Sequence, residues 1–191
     1  MKKGIFVISM VVLMYSCKSK NKSKNENDGF FPVISFIQSQ VAQIDTSVYP
    51  LLKIVKRDTL IDSSYIKREE FRTYAQDFLT LPDIASKKLQ DKYTETKMYD
   101  ESLNSVMLDY TATDPEAEVR REEVIIEPDA QRGDQVKTIY IDRLMNKGDS
   151  MVQKRLMWRV NKRFQVVTIV QKQGQPDKVE TMEVVWNDFE G

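Results

Sequence analysis

The chain has 191 residues, with 29 Lys and Arg against 29 Asp and Glu, one cysteine and no histidine. That length suits one domain with a tail, and 41% hydrophobic residues is a globular composition. Without histidine the chain builds no Ser-His-Asp triad, no Cys-His pair and no His-ligated metal centre. A lone cysteine makes neither an internal disulfide nor a Cys-rich zinc site.

The N-terminus carries the strongest signal. Lys2 and Lys3 form a basic start, Gly4 to Tyr15 is an apolar run, and Ser16 puts a small residue before Cys17. A basic n-region, an apolar h-region of about 7–15 residues and a small residue at the cut describe a secretory signal peptide. A transmembrane helix needs about 20 apolar residues, so the run is too short to be one. The tetrad Met14-Tyr15-Ser16-Cys17 resembles the lipobox of the bacterial lipoprotein family, in the form found in Bacteroidota. The resemblance covers the signal only. It implies a signal peptide over residues 1–16, cleavage before Cys17 and acylation of that cysteine. Acyl chains contribute about 0.8 kcal/mol per buried CH₂, so several of them anchor a protein firmly. Lys18 follows the cysteine, which by analogy with lipoprotein sorting implies the outer membrane. No acidic cluster comes next, which implies a periplasm-facing side.

Residues 17–29 are expected to be the lipidated cysteine and a flexible basic tether. The stretch 18–28 has no apolar side chain to offset the entropy of ordering. Lys18, Lys20, Lys22 and Lys24 would lie against anionic headgroups, up to about 1 kcal/mol each near a charged surface. A merely solubilising linker reads the same way. From Gly29 onward 23 basic residues face 27 acidic ones, a net charge of −4. A nucleic-acid binder would be basic, so no nucleic-acid partner is expected.

Residues 30–191 read as a single α+β domain. Phe30, Val33, Ile34, Ile37, Val41 and Ile44 recur at helical spacing, with Pro32 in the first turn and the helix ending before Asp45. Leu51 to Arg57 and Leu60 to Tyr65 read as short extended pieces around Asp58-Thr59. Phe71, Tyr74, Ala75, Phe78 and Leu79 make a second helical stripe, opened by Glu69 and Glu70 at the positive helix end. Pro82-Asp83 opens a short third helix with Ile84, Ala85, Lys88 and Leu89 on one side. From Lys92 the period becomes two. The expected strands are Tyr93–Tyr99, Ser105–Thr111, Glu118–Glu127, Gln135–Met145, Met151–Val160, Arg163–Lys172 and Val179–Trp186. No helical pattern interrupts them, so they pair as an antiparallel meander.

The expected fold class is therefore α+β, with N-terminal helices packed on a curled antiparallel β-meander of about six or seven strands. For the hairpin around Asn161-Lys162-Arg163, the expected register sets Val160 opposite Phe164 and Trp158 opposite Val166. It makes Leu156, Trp158, Val160, Phe164, Val166 and Val170 one apolar face. A curled sheet with helices on its concave side is similar to the lipoprotein-carrier fold, whose hollow holds acyl chains, and to cone-shaped folds of the nuclear-transport-factor type.

No catalytic constellation and no metal or cofactor site is expected. Ser64 and Lys67 have the spacing of a Ser/Lys pair, but Arg68 follows and no downstream partner motif appears. Asp114, Glu116, Glu118, Glu122, Glu123, Glu127 and Asp129 cluster without a Ca²⁺-loop pattern. Arg132-Gly133-Asp134 reads as turn chemistry. Tyr140, Trp158, Phe164, Trp186 and Phe189 read as core or sheet-edge packing, or as a stacking platform for sugar or lipid. The basic residues Arg143, Lys154, Arg155, Arg159, Lys162 and Arg163 either pair across strands with the acidic stretch or form a patch for an anionic partner. The expected function is a lipid-anchored, non-enzymatic envelope lipoprotein that binds or scaffolds an envelope protein, lipid or glycan. The alternatives are a carrier or sensor of an apolar ligand in a half-barrel, and a carboxylate-based hydrolase.

Overall fold

The computed structural model describes residues 29–189. The expected signal peptide of 1–16, Cys17 and all of the expected 17–29 tether except Gly29 lie outside the described residues.

Helix α1 spans Val33–Thr46 and buries the stripe Val33, Ile34, Ile37, Val41 and Ile44. Pro32 caps it rather than sitting inside it, and the helix runs past Asp45 to stop at Ser47, which turns extended. The second stripe forms two one-turn helices, α2 (Phe71–Tyr74) and α3 (Gln76–Leu79), rather than one. They hinge at Ala75, whose φ −80 and ψ 0 lie in the bridge region. Phe71, Ala75 and Phe78 still share the core side. The third expected helix is absent. The Asp83 carboxylate accepts from the Ala85 N–H at 3.2 Å, the Ser86 N–H bonds the Asp83 carbonyl at 3.1 Å, and the chain proceeds by turns. Asp and Ser side chains offer the backbone such alternatives to a helix. A 3₁₀ turn follows at Gln90–Lys92.

All seven expected strands form within about two residues of their expected ends. They are β3 (Tyr93–Asp100), β4 (Ser105–Ala112), β5 (Val119–Glu127), β6 (Gln135–Lys147), β7 (Ser150–Arg159), β8 (Arg163–Lys172) and β9 (Lys178–Val185). They make the antiparallel meander. Among the described residues the strand count is nine, because β1 (Leu52–Arg57) and β2 (Leu60–Tyr65) form a hairpin whose β1 pairs with β9. The order is β2-β1-β9-β8-β7-β6-β5-β4-β3, with β2 and β3 as edges.

The β7–β8 register differs from the expected one. Arg159 pairs with Arg163, Trp158 with Phe164 and Leu156 with Val166, so the loop is Val160-Asn161-Lys162. Asn161 takes the left-handed conformation (φ 58) that such a loop needs, in a place where no glycine stands. The slip is by an even number, so the apolar face survives it.

Rows of side chains cross the sheet on the helix-covered face. One row is Leu108, Val124, Ile139, Trp158, Phe164 and Val184. The next is Tyr110, Glu122, Ile141, Leu156, Val166 and Met182. Phe71 and Phe78 descend onto the first row. Phe78 meets Trp158 edge-on at 5.2 Å between ring centres, Phe71 meets Trp186 edge-on at 5.6 Å, and Trp158 stacks on Phe164 at 5.5 Å. These five rings fill the space beneath the helices and are buried throughout.

Candidate functional site

Alternation along β6, β7 and β8 divides the basic residues between faces. Arg143 and Lys154 are cross-strand neighbours on the helix-covered face. The Lys154 ammonium donates to both Asp77 oxygens of α3, at 2.6 and 2.7 Å. The Arg143 guanidinium donates to Glu118 through Nε at 2.9 Å. Arg155, Arg159 and Arg163 point to the opposite, helix-free face, as the burial of Leu156, Trp158 and Phe164 requires. Arg159, Lys162 and Arg163 gather around Asp188, at 3.5, 3.4 and 3.2 Å, and Arg163 also donates to Glu183 at 3.0 Å. The six residues thus occupy three places rather than one patch. Cys17 lies outside the described residues.

Arg155 is the exception in pairing. It is exposed and makes no ion pair among the described residues. It lines a depression of about 460 Å³ on the helix-free face, with Arg121, Glu123, Tyr140 and Asp142. Arg121 is tied to Asp109 and Glu123, and Gln153 donates to Asp142 at 2.9 Å. These contacts hold the floor polar and ordered, with the Tyr140 ring 42% exposed at its wall. A guanidinium beside an accessible aromatic face suits a polar, planar or anionic group.

A second, larger cleft of about 830 Å³ involves β1, β7, β8 and β9. Arg57, Lys154, Thr168, Val170, Lys178 and Glu180 line it. Charged and apolar residues share its lining, Pro176 and Val179 among the latter, and Arg57 is paired to Glu180.

The acidic stretch disperses. Glu118 pairs with Arg143, Glu123 with Arg121, Glu127 with Lys137, and Asp129 with Arg132. Among the described residues no group of three or more potential ligands gathers around a metal-sized space. Backbone N–H groups of Arg132 and Gln131, together with the Arg132 side chain, hold the Asp129 carboxyl below its usual range. The Arg132-Gly133-Asp134 segment is that turn, with Gly133 at φ +79. Ser64 and Lys67 are both exposed, so nothing desolvates the lysine. Trp158, Phe164 and Trp186 belong to the core, while Phe189 is exposed.

Glu122 stands apart from its neighbours. It is fully enclosed between Tyr110 and Ile141, and neither carboxylate oxygen has a hydrogen-bond partner. Burial pushes its pKa up to about 8, with the Asp83 charge adding to it. Tyr93 and Tyr110 beside it are also pushed up to about 12, mainly by burial. Their hydroxyls are engaged elsewhere: Tyr93 donates to the Val119 carbonyl at 2.8 Å, and Tyr110 accepts from the Phe31 N–H at 2.9 Å. The sequence places Glu122 within the acidic cluster between Thr113 and Asp129 without setting it apart. The signal that finds it is strict alternation backward from Val124, which puts it on the core face.

Asp77, Asp188 and Tyr140 complete the sites. Asp77 and Asp188 are invisible to spacing arguments because they reach the basic residues from α3 and from the chain beyond β9. No family model, curated protein or solved structure matches this chain.

Proposed function

We propose that the chain is a lipid-anchored, non-catalytic binding module of a bacterial cell envelope. Acylated Cys17 and the lysine-rich tether hold it at the outer membrane, on the periplasmic side. The helix-free face of the sheet, curled around the aromatic core, meets an envelope partner bearing anionic groups. The observation that carries this reading is Arg155: a guanidinium without an ion pair among the described residues, in a depression where Arg121 is paired to Glu123 and Tyr140 is exposed. Arg159 and Arg163 lie on the same face, both drawn to Asp188. Asp142, across from Arg155 on β6, accepts only from the neutral Gln153 amide, and a guanidinium with no ion pair of its own is available for association and steering.

Neither alternative draws comparable support. An apolar-ligand carrier needs a hollow, and five rings occupy the space beneath the helices. The open cleft is rimmed by Arg57, Lys154, Lys178 and Glu180. A carboxylate hydrolase needs two accessible acids, and Glu122 is enclosed without a carboxylate to share its work at hydrogen-bond distance.

A photo-reactive benzophenone residue at position 140 tests the surface in intact cells. It should give a discrete adduct that the added Arg155→Glu change abolishes. An equal adduct from Val48, which is 95% exposed just after α1, would contradict the assignment.

A further inference from the structure

The two edges of the sheet are not alike. β3 carries Glu95, Lys97 and Asp100 among its eight residues. β2 (LIDSSY) has Asp62 as its one charge, contains no proline, and pairs with β1 without a bulge. Charge, proline and bulges are the devices that normally stop an edge strand from pairing with another chain. All six β2 residues are exposed, with Leu60 74%, Ile61 68% and Tyr65 73% open.

The main chain of β2 has a definite parity. The Ile66 N–H donates to the Leu51 carbonyl at 2.9 Å, which continues the β1–β2 register by one step. Hydrogen-bonded and non-bonded pairs alternate along an antiparallel hairpin. Leu60, Asp62 and Ser64 therefore turn their N–H and C=O groups to β1. Ile61, Ser63 and Tyr65 turn theirs outward, where no strand of the described residues meets them.

We infer that β2 is a self-pairing edge, through which two copies of this chain join antiparallel about a two-fold axis at Ser63. A two-fold axis through such a pair must make one residue face itself, as in any isologous interface. Centring on Ser63 uses all three outward residues. Ile61 then lies opposite Tyr65 of the second copy, an aliphatic–aromatic pair of the kind that stabilises sheets. Asp62 lies opposite Ser64, a carboxylate across from a hydroxyl donor. Centring on Asp62 would oppose two carboxylates, and its polar main-chain groups already belong to β1. Centring on Ile61 would leave Tyr65 beyond the turn of the second copy. The charge pattern and the hydrogen-bond parity therefore select the same register. The inference is independent of the binding reading above, since it uses neither Arg155 nor the anchor.

Disulfide trapping in cells that express the full chain tests it. Opposed residues of a hydrogen-bonded pair lie about 5.5 Å apart at Cα, within the roughly 4.4–6.8 Å that a disulfide spans. Ser63→Cys should give a disulfide-linked dimer of this chain on mild oxidation, above the background of the wild-type chain with its single Cys17. Asp62→Cys, which faces Ser64 rather than itself, should give far less. Adding Ile61→Pro to Ser63→Cys should remove the dimer while leaving the melting temperature unchanged, because the lost N–H points away from β1. Ile61→Asp, which leaves the main chain intact, should do the same. The inference is overturned by any of three results: Ser63→Cys trapping no more than wild type, equal trapping at Asp62 and Ser63, or a linked product containing a different protein.

Discussion

Glu122 is the residue whose environment departs most from its type. Its pKa is about 8 in the fold, against 4.5 for an ordinary glutamate, and burial is the main cause. The folded chain therefore keeps a proton that the unfolded chain has released. The sign follows: this group's contribution is fully favourable below about pH 4.5 and is lost as pH rises through about 8. The loss is on the order of a few kcal/mol, enough to show in a small domain. Glu122→Gln should flatten the melting temperature between pH 5 and pH 8 and raise it at pH 8. A thermal-denaturation series over that range checks it; an unchanged slope would mean that the carboxyl finds water or a partner. Asp77 is the other residue whose removal is informative. It serves the Lys154 ammonium, and both groups are mostly shielded. Asp77→Asn should cost about 1–3 kcal/mol in urea unfolding, by leaving a half-buried cation unpaired. Asp149→Asn, which breaks an exposed pair with Lys172, should cost under about 1 kcal/mol.

The elements show what alternation reveals and what it hides. The meander from β3 to β9 was legible because apolar and polar residues alternate and turn residues separate the runs. The β1–β2 hairpin read only as extended pieces, because β2 is exposed on both sides and so has no face to mark it. Strand membership there is set by the pairing of β1 with β9, a contact between opposite ends of the chain. Helix periodicity placed α1 and the core side of Phe71 and Phe78, but did not register the hinge at Ala75. The β7–β8 register differs from the expected one by two residues because the choice turns on which residue goes left-handed. Asn161 does so at φ 58, and asparagine tolerates that conformation better than other non-glycine residues. Asn161→Gly should therefore be nearly neutral, whereas Asn161→Val should cost about 1–3 kcal/mol. Chemical denaturation of the two variants separates them, and equal stabilities would contradict the role given to this turn.

At the scale of the whole molecule, one face of a nine-stranded sheet is covered and the other is open. The covered face is closed by Phe71, Phe78, Trp158, Phe164 and Trp186. Phe78→Ala should cost about 3–5 kcal/mol, as truncation of a fully enclosed aromatic does, and a loss under about 1 kcal/mol would mean that the space is hollow. The candidate site was half legible. The basic residues were visible as a cluster in the chain, but their division between two faces depends on strand parity, and their neutralisation depends on Asp77, Glu118, Glu183 and Asp188 reaching them in space. What remains open is the Arg155 surface, and in the proposed function its presentation at a membrane rests on Cys17. Metabolic labelling with an alkyne fatty acid therefore tests the central claim most directly. The wild-type chain should carry the label and stay with membranes, and Cys17→Ser should lose both. Label and membrane retention unchanged in Cys17→Ser would contradict the account.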